Sequence, residues 1–260
     1  MVLKRRAALG GVQLDSLDSR IIITGIDEAA GKETITAVST GAGPGQRVTL
    51  RKRETLDVTV RFAMKIKNSS MSARSTLLDT VNAWAGPGGW LTLGHRDGKR
   101  LNVLLAQAPG GGDQYQWTND YTILFRAYGV PYWEDSTETT QTLSSGSVQS
   151  GFITVPGNTE TVGEVTVKNI SGSTISTVNV QMGSSLMTFG SLSLANGSSL
   201  VIDHIHTADL YCVRAKIGST SVLGKRSGAD DFYVNPGTQG ISVSASGSVQ
   251  ATYSVRGRYL

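Results

Sequence analysis

Over residues 47–67 apolar and polar side chains alternate with period two. Val48 and Leu50, then Leu56, Val58, Val60, Phe62, Met64 and Ile66, all occupy even positions. That spacing predicts strands with one buried face, because successive side chains of a strand point to opposite sides. The odd positions carry Arg47, Arg51, Arg53, Asp57, Arg61, Lys65 and Lys67, a face that is wet or meets a polar partner. Leu101, Val103 and Leu105 repeat the pattern, as do Tyr121, Ile123 and Phe125. Between the first of these runs and Leu93, the pair Asp97-Gly98 predicts a hairpin turn, since both central residues of a type I′ turn need positive φ. One helix is predicted over 72–85. Leu77, Val81, Trp84 and Ala85 form a single stripe, Gly86-Pro87 stops it, and the helix is expected to lie across the strands with Trp84 inward.

The second half reads as strands only. Val165 and Val167, then Val178, Val180 and Met182, alternate in the same way. Leu192 and Leu194 precede Asn196-Gly197, with Leu200 and Ile202 following, and Ile241, Val243 and Ala245 precede Ser246-Gly247, with Val249, Ala251, Tyr253 and Val255 following. Both dipeptides are read as hairpin turns between alternating strands. Strands about every ten residues without a helix predict an antiparallel β-sandwich.

Composition divides the chain at the same place. Before and after residue 135, Lys plus Arg number 17 and 7, Asp plus Glu 13 and 7, and serine 7 and 22. All of the +4 net charge and all four tryptophans therefore belong to the first half. Two separately packed domains are expected, 1–135 and 143–260, joined by a polar linker over 136–142. Glycine is frequent, 31 of 260 residues, and only 6 are proline, which suits many turns between short strands. The lone Cys212 cannot close an intramolecular disulfide, and no Cys/His cluster offers a zinc site. The apolar run near the start is too short for a signal peptide, and no run approaches a bilayer span. A protein made in the cytoplasm with no membrane partner is the expectation.

Candidate chemistry is sparse. His95 lies in a connection and reads as a solvated loop residue. His204 and His206, two apart with Asp209 nearby, share a strand face but make a weak metal site, and Cys212 reads as a small buried hydrophobe. The loop around Gly41 to Gln46 lacks the strand-to-helix setting of a phosphate loop. The basic odd face, Arg47, Arg51, Arg53, Arg61, Lys65 and Lys67, is the sharper clue. A solvated sheet face, a charged protein interface and a nucleic-acid surface all fit it, although the interleaved aromatic side chains that base stacking uses are missing. A sandwich could also bind sugar through aromatic platforms. The second half has no tryptophan, so a lectin-like shape with weak affinity is expected.

In order along the chain stand Gly45-Gln46-Arg47-Val48, Arg53 to Val60, Arg74, Leu77, Asp79 and Ala83-Trp84-Ala85, then Gly88 to Leu93 with Trp90, Gly98 to Leu101, Trp117-Thr118 and Tyr121. Through these pieces the chain resembles the distal tail protein, or tail hub, family of long-tailed bacteriophages and prophages. The most specific piece of the resemblance is Pro131-Tyr132-Trp133-Glu134. Ser227 to Asp231, Asn235-Pro236-Gly237 and the closing Tyr253 to Leu260 continue it into the second half. The match starts near residue 20.

This resemblance implies a mainly β chain, with an N-terminal β-rich ring-forming domain carrying one helix and a C-terminal galectin-like antiparallel β-sandwich. It implies a structural virion protein without enzymatic activity or cofactor, located at the tail tip. The expected partners are five further copies in a hexameric ring, the tail tube protein and the tail-tip proteins, with genome DNA passing through the channel without specific binding. A carbohydrate-binding adhesin built on the sandwich is the alternative. Trp84 and Trp90 are expected to pack the core, and Tyr132 and Trp133, after Pro131, to anchor the exit of the first domain.

Overall fold

In a computed structural model the described residues are 5–29, 31, 33–39, 46–65, 71–109, 120–207 and 210–260, with the side chains of 39, 46–52 and 71 left aside. The chain divides into two units, one comprising Met1–Trp133 with Thr207–Leu210, the other Glu134–His206 with Tyr211–Leu260.

The first unit holds strands β1 (Ala7–Leu9), β2 (Val12–Gln13), β3 (Ile21–Glu28), β4 (Glu33–Ser39), β5 (Gln46–Arg53) and β6 (Leu56–Met64). Helix α1 (Met71–Ala85) follows, then β7 (Gly89–Leu93), β8 (Lys99–Gln107) and β9 (Asp120–Ala127). Seven of the strands pair in the order β2-β1-β7-β8-β9-β6-β3, while β4 and β5 form a separate two-stranded ribbon. The alternation that predicts β6 is realised in full. Leu56, Val58, Val60, Phe62 and Met64 are buried, and the residues between them are not. Tyr121, Ile123 and Phe125 of β9 extend the same apolar face, with Phe62 stacked on Tyr121 at 5.4 Å between centroids.

The helix buries Leu77, Val81 and Ala85, spaced by four, because side chains three or four apart share one side of a helix. Its stripe departs from expectation at one end. Trp84 is half-buried rather than a core residue; its ring meets Phe125 edge-on at 5.9 Å and its indole N–H donates to the Val12 carbonyl at 3.0 Å. After the helix, Gly88 has φ +65°, and a β-carbon there would stand 2.5 Å from the Val103 carbonyl oxygen. Only glycine permits both the left-handed turn and the close approach of β8. β7 and β8 do form a hairpin, but through residues 94–98 rather than a two-residue type I′ turn: Gly98 takes the left-handed φ of +68° and Asp97 does not.

The second unit contains β10 (Trp133–Asp135, from its second residue), β11 (Thr139–Val155), β12 (Thr161–Asn169), β13 (Val178–Met182), β14 (Ser185–Phe189) and β15 (Ser199–His206). After these come β16 (Tyr211–Ile217), β17 (Thr220–Ser221), β18 (Arg226–Gly228), β19 (Tyr233–Val234), β20 (Gly237–Val255) and β21 (Arg258–Tyr259). The main path is β17-β16-β15-β12-β20-β13-β14-β18, with β11 along the other edge of β20. One end of β20 pairs with β12 and the other with β13. Side chains from both wings, among them Val165, Val167, Ile202, Val180, Met182 and Phe189, meet in one buried cluster. The sheet therefore folds over its own core.

Three sequence expectations are corrected here. Ser246-Gly247 is not a hairpin turn: β20 continues through it over 19 residues, the position falling in a bulge where the register with β11 shifts, and β11 pairs with β20 on both sides of it. A side chain on Gly247 would crowd Ser171, at 2.9 Å from the added β-carbon, so glycine serves close packing at this position. Asn196-Gly197 does turn, with Gly197 at φ +80°, yet it joins no hairpin; β15 pairs with β12, and Leu194 forms only an isolated bridge to Ile175. The alternation of Leu192 and Leu194 reflects a buried irregular segment. Finally, 139–142 of the linker read over 136–142 belong to β11, paired with 252–255 of β20. Polar, hydroxyl-rich composition describes a solvated strand face as well as a linker.

Phe125 lies under Trp84 and is fully buried, so Phe125→Ala should lower unfolding free energy by about 3–5 kcal/mol in denaturant titration. Gly88→Ala should lose about 1–3 kcal/mol through backbone strain in the same assay.

Candidate functional site

The basic face of β5 and β6 is not a row of lone cations. Arg61 pairs with Asp27 on the adjacent β3, and the Arg126 guanidinium grips Asp57 with two bonds of 2.6 and 2.7 Å across the β6–β9 ladder. The Arg53 guanidinium lies over the Tyr132 ring, 5.1 Å from its centroid. Lys65 is exposed and its backbone N–H donates to the Arg20 carbonyl at 2.8 Å. The side chains of Arg47 and Arg51, together with Lys67 and Trp117, lie outside the described residues. Among the described side chains the face is a lattice of mixed charge, in which a polyanion would compete with Asp27 and Asp57.

At the end of β3 a cluster forms that the sequence does not announce. The Glu28 carboxylate accepts from the Trp133 indole N–H at 2.9 Å and from Arg96 at 2.9 Å, and pairs with His95 Nε2 at 2.5 Å. Burial alone would raise the Glu28 pKa, but the hydrogen bonds and charges of Arg96 and His95 hold it below the usual carboxylate range. Arg96 also lies over the Trp133 ring, at 5.4 Å. Trp133 is 1% exposed and Pro131 is buried, while Tyr132 is half-buried. His95 is, as expected, an exposed residue of the connection between β7 and β8, and from there it reaches Glu28. Trp90 departs from its expected core position: it is half-buried, with the Arg100 guanidinium 3.7 Å from its ring centroid.

The two neighbouring histidines of the second unit are brought together with partners from distant strands. His204, with its side chain 3% exposed, bridges Asp231 at 2.8 Å and Glu164 at 3.3 Å and stacks on Tyr211 at 4.9 Å. A protonated imidazole donates from both nitrogens, which is what two flanking carboxylates require. His206 meets the same Tyr211 ring edge-on at 5.6 Å and lies 3.6 Å from Glu134, which Arg258 also binds at 3.1 Å. Asp209 lies outside the described residues. Among the described residues no group of three or more His, Cys, Asp or Glu side chains could hold a metal ion. Cys212 is half-buried rather than fully enclosed.

Exposed apolar side chains mark the margins of the first unit. Val12 on edge strand β2 is 47% exposed and Ile22 on edge strand β3 is 37% exposed. Ile35 and Val38 on the separate β4–β5 ribbon are each more than half exposed. Such edges leave backbone groups unpaired and ready to extend a ladder.

The His204 cluster makes a pH prediction. Burial disfavours the imidazolium, yet Asp231 and Glu164 outweigh it and raise the pKa from 6.5 to about 9. A raised folded-state value means that this stabilisation is full below the unfolded pKa of 6.5 and is lost as pH rises through about 9. Thermal melts should show stability falling between these two values, and His204→Gln should flatten that fall.

Neither a family model nor any curated protein sequence matches the chain. Solved structures do. The SPP1 Dit (gp 19.1) protein, described as a paradigm of hub adsorption apparatus in Gram-positive infecting phages, superposes with a TM-score of 0.67 at 10% identity, over 98% of this chain and 99% of that one. A chain of the phage P2 baseplate in its activated conformation with Ca gives 0.44 at 8% identity over 98% of both chains. The same baseplate with Sr gives 0.42 at 8% identity over 97% of both chains. From end to end, this chain has the fold of the SPP1 Dit protein.

Proposed function

We propose that this chain is a structural protein of a phage-type tail: a distal hub in which six copies close into a ring, joining the end of the tail tube to the tip or baseplate. The observation that carries this reading is the likeness to the SPP1 Dit protein across nearly the whole length of both chains, both units included. The residues quoted from Gly45 to Leu260 favour the same family. The role makes and breaks no bond, and it asks of the chain only rigid surfaces and a closing interface.

Closed rings use heterologous contacts, in which one patch meets a different patch on the next copy. The first unit offers two such patches, the β2 edge with Val12 and the β3 edge with Ile22. The β4–β5 ribbon is a third candidate surface, since two strands alone are marginal in water and gain from a partner. Mixed charge on the β6 face suits register between copies better than binding of a polyanion. Tail tube and tip proteins would dock on the two faces of such a ring, and DNA would pass through it without being read.

Native mass spectrometry tests the ring. A species of about 165 kDa, six times the 27.5 kDa protomer, is the expected result, and ring-shaped particles should appear in negative stain. Val12→Lys and Ile22→Lys lie at exposed positions, so each should shift the population toward monomer with the melting temperature of the protomer nearly unchanged. Monomers at every concentration, with or without tube protein, would rule out the hub reading.

A further inference from the structure

Within the second unit, the outward face of β11, β20, β13 and β14 forms a shallow cleft of about 380 Å³. Its floor is an ordered ladder of amides and hydroxyls. Ser244 and Asn179 are register partners, as are Ser242 and Gln181, and each pair is joined by a side-chain hydrogen bond, of 3.0 and 3.3 Å respectively. Thr188 continues the first row onto β14 and Leu186 ends the second. The other sides of the same strands bury Val178, Val180, Ile241 and Val243, so the polar ladder is anchored to a rigid core.

Three features define what this cleft can recognise. First, no lining residue carries a charge. Secondly, its amides keep hydrogen-bonding capacity in hand: Asn179 commits one N–H to Ser244, and Gln181 commits one N–H to the Gly183 carbonyl and one acceptor site to Ser242, leaving the second N–H of each amide for a ligand. Thirdly, apolar surface flanks the ladder. Val148 is 77% exposed at the end of the first row, and Phe152, 72% exposed, stands on the same face of β11 opposite Gly240, where no side chain rises.

Fixed, neutral donors and acceptors beside an open aromatic ring match a ligand with closely spaced hydroxyls on one side and C–H surface on the other. We propose that this cleft binds a neutral oligosaccharide, with the amide ladder on its hydroxyls and Phe152 under a ring face. The volume lies within the roughly 300–1,000 Å³ of small-ligand sites, and the short list of polar contacts predicts weak affinity at each copy. Repetition around an oligomer would multiply a weak contact through avidity. The proposal concerns the second unit alone and does not depend on the hub reading.

The test uses the full chain and four probes: triacetylchitotriose, maltotriose, lactose and, as the charged comparison, trigalacturonate. Saturation-transfer NMR with the probes at millimolar concentration should show transfer to at least one neutral sugar and no preference for the acid. Gln181→Ala, at an exposed position, should weaken that binding up to about tenfold through one lost hydrogen bond. Gly240→Trp should abolish it; a β-carbon there meets nothing within 4 Å, so the indole covers the face without disturbing the sheet. Absence of transfer to all three neutral sugars, preference for the acid, or binding that survives both variants would overturn the proposal. Native mass measured on the same samples separates it from the hub reading, since oligomer mass and sugar binding are read independently.

Discussion

The pairing of β20 with β11 is the constraint on which the second unit depends. Residues 139–155 run beside 237–255, with register shifts on either side of Gly146. The shifts let one ribbon continue while its two ends serve different neighbours, β12 at one end and β13 at the other. An added residue in one strand bends a ladder and increases its twist without ending it. Both wings then close over the same apolar cluster, and both polar features of the unit are placed by this arrangement: the amide ladder on the outer face of one wing, the His204 cluster beside the other.

Charge in this protein is used to hold register. Asp57 with Arg126 and Asp203 with Arg214 are register partners on neighbouring strands, each joined by two hydrogen bonds. Partly exposed pairs of this kind contribute up to about 1 kcal/mol in isolation, so their effect is more on alignment than on total stability. Buried carboxylates act differently. Asp231 is buried and Glu28 half-buried, and each would be costly without donors; His204 and the Phe232 N–H answer the first, Arg96, His95 and Trp133 the second.

Much of the secondary structure was legible because strand and helix periods are local properties. The even positions of β6 and the stripe Leu77, Val81 and Ala85 needed no knowledge of their neighbours to be placed inward. Turn dipeptides were legible only in part. Asp97-Gly98 joins two paired strands, whereas Ser246-Gly247 is absorbed into β20 because a long partner lies beside it. Tryptophan was the least legible residue. Trp133 is enclosed, while Trp84 and Trp90 spend their polar and aromatic character on Val12 and Arg100 at half-buried positions. Trp133 and its partner Glu28 are 105 residues apart in the chain, and no local pattern reports such a meeting.

By itself, the sequence determined the strand-rich class, the single helix, the inward side chains and the division of charge between the two halves. Each follows from spacing or composition within a short window, where backbone geometry alone sets which side chains share a face. Only the tertiary structure decided which strands adjoin, that one ribbon carries both wings of the second unit, and which carboxylates meet which cations. Those outcomes depend on contacts between residues distant in the chain, whose free energies are realised only when the apolar faces have closed on one another.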